Sequence, residues 1–490
     1  MRTAAVVGDR SAGVVLAAAA GDALGAPHEF HRSLSPTAPL SMTGGGVFGW
    51  RPGEWTDDTQ MGLALLGRLA TGDRSVEAVE EDFLAWFASE PRDVGTQTRA
   101  VFTAGPPLAA SAAEYHRLHP DGSGNGALMR IGPAALAFPG RPGQIAAYAR
   151  ATTELTHAHV DCIDASVIWA VAIDHSIHAA PPSKEPWDFA DALRHGVEQV
   201  PKARRQWWMQ VIDEALARRP EEFQATNGWV VHAFQAALSA IVHTPVPAGV
   251  APCRHLASAI EAAVRGGGDA DTVAAIAGSL LGARWGATAV PLEWSAVLHG
   301  KRLYGTPDLH SVDLTDMARR AAAGGRPDSI GWPGRVRLIP HYLENFAGGA
   351  EPVTLGGVSW GGVAGIALAL ANGADVVVSL CRMGTRDIPG KIEHTVIGFI
   401  DSNEEENPNL AFVLADTADF IARRAAEGHS VYVHCVSAEH RTPALAVTFL
   451  ARHRGMSIAA ASREVEAALH SRPLPSVMES VTAAAGERNP

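Results

Sequence analysis

The sequence predicts a multidomain protein: an all-α domain over residues 1–325, then an α/β domain over residues 326–490 with a central, mostly parallel sheet. Three observations predict it. The chain has 490 residues, too many for a single core when a domain holds about 100–200 residues. From Ser11 to about Ala323 apolar residues recur at i, i+3 and i+4, the period of a helix with one buried face. Beyond the Gly/Pro-rich stretch Ala321–Arg335, which reads as a linker, short β-branched runs alternate with helical ones.

In the first part the helical segments include MGLALLGRLA, EDFLAWFAS, ASVIWAVAIDHSIHAA, VVHAFQAALSAIVHT, ASAIEAAVR and TVAAIAGSLLGARW. Gly/Pro-rich stretches such as Ser41–Gly53 and Asp121–Gly126 separate them. In the second part DVVVSLCR (Asp375–Arg382) and SVYVHC (Ser430–Cys435) read as buried strands. The helical runs FVLADTADFIARRAAEG and TPALAVTFLARHRG follow them, an alternation that builds parallel sheets.

Composition narrows the function. Hydrophobic residues make up 47% and charged ones 19%, enough to fill a core and too apolar for disorder. The net charge of −12, with no basic run to offset it, argues against an extended nucleic-acid surface. A small site can still hold phosphates through helix N-termini and single arginines. Cys162, Cys253, Cys381 and Cys435 lack CxxC spacing, which argues against a zinc site or disulfide framework and fits a cytoplasmic location. The apolar run at the N-terminus reads alternatively as a weak signal peptide, but Gly21-Asp22 interrupts it. No stretch is expected to reach the ~18–20 apolar residues of a membrane span.

Two acidic clusters stand out. Thr56-Asp57-Asp58 and Asp269-Ala270-Asp271-Thr272 each open an apolar helix, the second after three glycines. One such cluster reads as helix capping, since Asp and Thr cap helices and acids gain from the helix dipole. A pair is harder to read that way. Four carboxylates and two threonine hydroxyls form the oxygen-rich set that hard divalent cations need. Their distance in sequence leaves both readings open.

Five segments, in order, carry a resemblance: GDALGAPHEF (Gly21–Phe30), GEWTDDTQM (Gly53–Met61), GSGNGALMRIGP (Gly122–Pro133), THAHVDCIDAS (Thr156–Ser166) and GGDADTVAAIAGSLLGA (Gly267–Ala283). With these the chain resembles the ADP-ribosylglycohydrolase family. The resemblance implies an all-helical fold and a binuclear Mg²⁺ or Mn²⁺ centre. Thr56, Asp57 and Asp58 would supply one half, and Asp269, Asp271 and Thr272 the other. It implies that Glu29 and Asp58 act in catalysis and that the substrate is ADP-ribosylated. It also implies that Ser123, Gly124, Asn125 and Gly126, with Met129, Arg130 and His157, contact the ADP-ribose. By itself the Gly-rich loop reads as a turn feeding a helix at Ala127. The chain departs from the family pattern at His28 and at His159-Val160-Asp161, positions that bear on substrate choice.

The segment Val433-His434-Cys435-Val436-Ser437-Ala438-Glu439-His440-Arg441-Thr442 lies between a strand and a helix. A loop of this form lowers a thiol pKa and places an arginine fork on a phosphate, making Cys435 a candidate nucleophile. The region Arg335–Ser476 resembles a dual-specificity-type cysteine phosphatase, which implies Arg441 as phosphate clamp and Asp401 as general acid. Thr442 is placed to hydrogen-bond the sulfur. Two residues depart from that pattern: Ala438 replaces a glycine, and Glu439 adds an anion beside a phosphate site.

The resulting expectation is a metal-dependent ADP-ribosyl hydrolase fused to a phosphatase-like domain that takes a phosphorylated ligand. Rival readings are a sensor that binds ADP-ribose and phosphate without turnover, and a phosphatase with an accessory helical domain.

Overall fold

The computed structural model describes residues 4–179, 187–249, 251–346 and 351–486. The helical part is organised around a central pair. Helix α1 spans Ala4–Gly25 and is apolar on nearly every side, as a helix surrounded by protein must be. It is long and apolar enough to cross a membrane, contrary to the expectation from sequence, yet most of it is buried inside the fold. Helices α2 (Asp57–Ala70) and α3 (Val160–His178) pack near it. Helix α4 (Ala270–Trp285) lies along α1 for most of its length. The two backbones approach so closely that a Cβ on Gly282 would sit 2.0 Å from the Gly13 carbonyl oxygen. This approach brings the start of α4 beside the end of α1, where Asp22 sits.

The helical part departs from the all-α expectation by one antiparallel pair of two-residue strands, His299–Gly300 with Leu309–His310. The stretch expected as a linker is mostly turn and loop. A helix runs through Ala322, and the Asp328 carboxylate then accepts from the N–H groups of Ile330 (3.0 Å) and Trp332 (2.9 Å). Arg319 and Arg382 both lie against the Trp332 ring, at 5.3 and 4.2 Å, so the tryptophan bridges the helical and sheet-bearing regions.

The C-terminal region holds a small mixed sheet. Its strands are β1 (Val353–Leu355), β2 (Val358–Gly362), β3 (Val376–Ser379), β4 (Glu393–Val396) and β5 (Val431–Cys435), in the order β1-β2-β5-β3-β4. Only β1 and β2 pair antiparallel. One face, with Trp360, Val378 and Val433, packs on α5 (Leu410–Ala426) and α6 (Arg441–Arg454). The other buries Val377 and Tyr432 against Leu338, Tyr342 and Ile366. The two regions are tied by hydrogen bonds. Asn409 Nδ2 donates to the Trp285 carbonyl (2.6 Å) and to Thr288 Oγ1 (2.8 Å), and Asp416 accepts from Leu292 N–H (2.8 Å).

Candidate active site

The acidic clusters, more than 200 residues apart in sequence, meet where α2 and α4 begin. Thr56 caps α2, and its hydroxyl donates to Asp58 Oδ2 at 3.2 Å. Thr272, in the first turn of α4, donates to the same oxygen at 3.3 Å. Asp58 therefore joins the two clusters. Carboxylate oxygens of Glu29, Asp269 and Asp271 lie within 4.8 Å of one another. Gly268 makes this turn possible. Its φ of +74° is left-handed, and an added Cβ would fall 2.5 Å from Asn227 Oδ1.

Crowding has a clear electrostatic consequence. Burial, reinforced by neighbouring carboxylates, holds Asp57, Asp58 and Asp271 well above the usual carboxylate range. Glu29 is pushed up to about 9 by burial and by Asp93, Asp269 and Asp22. Glu29 Oε2 and Asp58 Oδ1 are buried without a hydrogen-bond partner. Like charges gathered out of water, with unpartnered oxygens among them, are stabilised by a cation. The donors are carboxylates and threonine hydroxyls, the set hard divalent ions take. Thr56, Asp57, Asp58, Asp269, Asp271 and Thr272 thus fit a metal centre, with Glu29 at its edge.

Two residues of this site were not singled out from the sequence. Asp22, on α1 and fully buried, accepts from Thr56 N–H (2.9 Å), Thr59 N–H (3.1 Å) and Thr59 Oγ1 (2.6 Å). It fixes the first turn of α2 and so the direction of Asp57 and Asp58. Burial raises it to about 6. Asp93 shares a hydrogen bond with Asp57 and is raised to about 6 by burial and by Asp269. Arg92 brings it there, by pairing with Glu54 and lying over the Trp50 ring. An acid inside a matched segment (Gly21-Asp22) was a usable signal for the first. Pro91-Arg92-Asp93 carries no ligand spacing, so nothing local marked the second.

The Gly-rich loop borders an open cleft of ≈ 360 Å³ lined by Asp121, Ser123, Gly124, Gly228 and Trp229. The loop does not feed the expected helix. Asn125–Ala127 is a single 3-10 turn, because Asn125 is held sideways by Asp269 Oδ2 (2.6 Å) and the Asn227 carbonyl (3.1 Å), and Gly132-Pro133 soon interrupts the backbone. Asn125 therefore links cleft and acidic cluster. Arg130 and His157, expected at the ligand, lie beneath the loop, 2% and 1% exposed. Arg130 donates to the Gly126 carbonyl (2.9 Å) and Thr156 Oγ1 (2.6 Å), and His157 Nδ1 bonds the same hydroxyl at 2.7 Å. They shape the loop from below, and Met129, 8% exposed, is buried with them. His159 and Asp161, the departures from pattern, lie near Arg204, which pairs with Asp161 and Asp164.

At the C-terminal edge of the sheet, Cys435 ends β5 and Arg441 opens α6. Ala438 has φ +59°, so the loop does need a left-handed residue at the place where glycine was expected. The strain is of order 1–2 kcal/mol. Glu439 is exposed, where water screens its charge. Thr442 does not bond the sulfur: its hydroxyl accepts from Cys435 N–H (2.9 Å) and donates to the Gly361 carbonyl (3.2 Å), clamping the loop to β2. Arg441 Nη1 is anchored on the carbonyls of Leu380 (2.7 Å) and Phe399 (3.3 Å), while Nε is buried with no hydrogen-bond partner. Asp401 Oδ2 lies 3.6 Å from that Nε.

A helical scaffold that gathers hard oxygen donors beside a Gly-lined cleft defines a hydrolase-like site. Residues 3–328 match the ADP-ribosylglycohydrolase family, and the chain belongs to it. It is 31% identical over 304 residues to the ADP-ribosyl-[dinitrogen reductase] glycohydrolase of Rhodospirillum rubrum, covering 60% of this chain and 92% of that protein. A solved ADP-ribosylglycohydrolase-related protein complex matches with 26% identity and a TM-score of 0.51, over 65% of this chain and 99% of that one. The C-terminal region overlays human DUSP28 at 20% identity and a TM-score of 0.26, over 28% of this chain and 94% of that one, a likeness too slight to carry an argument.

Proposed function

We propose that the chain hydrolyses ADP-ribosyl bonds with two Mg²⁺ or Mn²⁺ ions, releasing ADP-ribose from a modified protein, nucleic acid or small molecule. Membership of the family supports the reaction class. The single observation that favours turnover over sensing is the buried carboxylate cluster with unpartnered oxygens on Glu29 and Asp58. Thr56, Asp57, Asp58, Asp269, Asp271 and Thr272 would hold the ions. Bound there, they would fix ribose hydroxyls and activate water. The chain's own groups do the rest. Ser123 and Gly124 line the cleft that would take the diphosphate, while the Asn125 N–H is already bonded to the Gly228 carbonyl (3.1 Å). Asn125 fixes that loop relative to Asp269. Glu29, whose carboxyl burial and Asp93 push up to about 9 in the metal-free cluster, would give or take a proton at the anomeric bond.

ADP-ribose release from a panel of modified acceptors tests this. Activity should vanish in EDTA and return with Mg²⁺ or Mn²⁺. Full activity in chelator, or unchanged metal binding by an Asp58→Ala, Asp271→Ala double variant, would refute the assignment. Gly124→Trp should weaken ADP-ribose binding by filling the cleft.

A second reading applies to the Cys435 loop. Arg441 Nε, which makes no hydrogen bond and faces Asp401 Oδ2 at 3.6 Å, and the left-handed turn at Ala438 favour a site for a phosphate monoester. Cys435 would attack phosphorus, Arg441 hold two oxygens, and Asp401 protonate the leaving oxygen. Cys435→Ser should abolish aryl phosphate turnover.

A further inference from the structure

We infer that Thr288, in the helical region, is a positioning residue for the Arg441 clamp, so that the Cys435 site is completed by the part of the chain that carries the acidic cluster. The inference rests on the phosphomonoester reading of that site.

The connecting piece is the loop between β4 and α5. It carries Phe399, whose carbonyl accepts from Arg441 Nη1 at 3.3 Å. Ile397 N–H holds the start of the loop on the Ser379 carbonyl (2.8 Å). Further along, the Asn407 side chain accepts from Ile400 N–H (2.8 Å) and donates to the carbonyls of Ile400 (3.1 Å) and Asn403 (2.9 Å), which closes residues 400–407 into one unit. Thr288 touches this loop at both ends. At one end its methyl group lies against Gly398, where an added Cβ would fall 2.7 Å from Thr288 Cγ2. At the other its hydroxyl accepts from Asn409 Nδ2 at 2.8 Å.

Thr288 can serve as a fixed point because its own side chain is held in one orientation. Its N–H donates to Asp9 Oδ1 (3.1 Å), and its hydroxyl donates to Asp9 Oδ2 (2.7 Å) while accepting from Asn409. The methyl therefore cannot turn away from Gly398 without breaking those bonds. Asp9 lies on α1, and Thr288 follows α4. Helix α4 thus carries Asp271 and Thr272 in its first turn and leads into the loop contact just past its end. The consequence falls on Arg441. Both hydrogens of its Nη1 go to protein carbonyls, Leu380 (2.7 Å) and Phe399 (3.3 Å). This leaves Nε and Nη2 as the pair that can take two phosphate oxygens. A guanidinium held by the Leu380 carbonyl alone turns about that bond, and the second acceptor fixes its plane. Displacing Gly398 moves the adjacent Phe399 carbonyl and releases the fork.

The test is the affinity of the full chain for orthovanadate, measured by calorimetry. Thr288→Ala should weaken it about 10-fold, as expected when a charged donor loses one of its acceptors. Thr288→Ser keeps the hydroxyl bonds and should stay within about 2-fold of the wild type. Gly398→Ala should weaken binding by about 10-fold, and adding Thr288→Ser should restore it, because serine lacks the methyl that the new Cβ meets. Arg441→Ala weakens binding by itself, and Thr288→Ala added to it should change nothing. Wild-type affinity in Thr288→Ala, or a Gly398→Ala loss that Thr288→Ser does not restore, would overturn the positioning role and leave the phosphatase reading standing. The Gly398→Ala, Thr288→Ser pair decides the question even where Thr288→Ala fails to fold. Absence of any vanadate binding that depends on Arg441 in the wild type would overturn both.

Discussion

Replacing Asp22 by asparagine should raise the stability of the metal-free protein near neutral pH relative to its stability in acid. Asp22 is fully buried, and burial moves its carboxyl from the ordinary 3.8 to about 6. A raised carboxyl pKa means that the folded state binds more protons than the unfolded state between those values. Stability is then greatest below about 3.8 and falls as the pH rises through about 6. That displacement corresponds to about 3 kcal/mol. The hydrogen bonds support the comparison. In acid the protonated Oδ2 and the amide Nδ2 can each donate to Thr59 Oγ1, 2.6 Å from Oδ2, while Oδ1 continues to accept from Thr56 N–H; the amide Nδ2 cannot accept from Thr59 N–H, 3.1 Å from Oδ2, so the variant loses one acceptor at every pH. Apart from that lost acceptor, the variant matches the protonated acid in carrying no charge, and does so at every pH. Urea unfolding of the full chain in EDTA, followed by tryptophan fluorescence, should show the stability of the variant relative to the wild type rising by about 2–3 kcal/mol between about pH 4 and about pH 7.5. Mg²⁺ should stabilise the wild type at neutral pH, and more than in acid, because the cation compensates the ionised cluster. A variant destabilised equally at both pH values would refute the reasoning.

Three further outcomes are expected. Ala438→Gly should stabilise the protein by about 0.5–1 kcal/mol in urea unfolding, since glycine relieves the φ of +59° but adds entropy to the unfolded chain; unchanged or lower stability would argue that the loop carries no strain. Gly268→Ala should cost about 1–3 kcal/mol and weaken Mg²⁺ binding in calorimetry, because its Cβ would meet Asn227 Oδ1 at 2.5 Å and shift Asp269; wild-type affinity would separate the turn from the metal centre. Asn409→Ala removes the donor to Trp285 O and Thr288 Oγ1, and should cost about 1–3 kcal/mol and loosen the sheet-bearing region from the helical one, seen as faster amide exchange near α5.

Helical periodicity and the two strands Val376–Ser379 and Val431–Cys435 were legible in the sequence because side-chain period reports which face is buried. The other strands were not, since β1 is only three residues long, β2 ends in two glycines, and β4 is only partly buried. The membrane-span expectation failed at α1 for a related reason: hydropathy cannot tell a helix buried in lipid from one buried in protein. Asp57, Asp58, Asp269 and Asp271 could be marked as candidates from residue type and spacing alone. Cys435 and Arg441 could be marked in the same way, since a loop closes over few residues and its chemistry is local.

What the tertiary structure decided is everything that depends on distant segments meeting. Asp58 bonds Thr272 only because α1 and α4 pack at glycine distance and bring two helix starts together. Asp22 and Asp93 join the cluster from other elements, and the sequence around Asp93 carries no ligand pattern. Arg130 and His157 support the loop from beneath because Thr156 lies below it. The physical reason is the same in each case. Residue chemistry and local period are properties of neighbours along the chain, whereas the field at a buried carboxylate is set by charges that only folding places beside it.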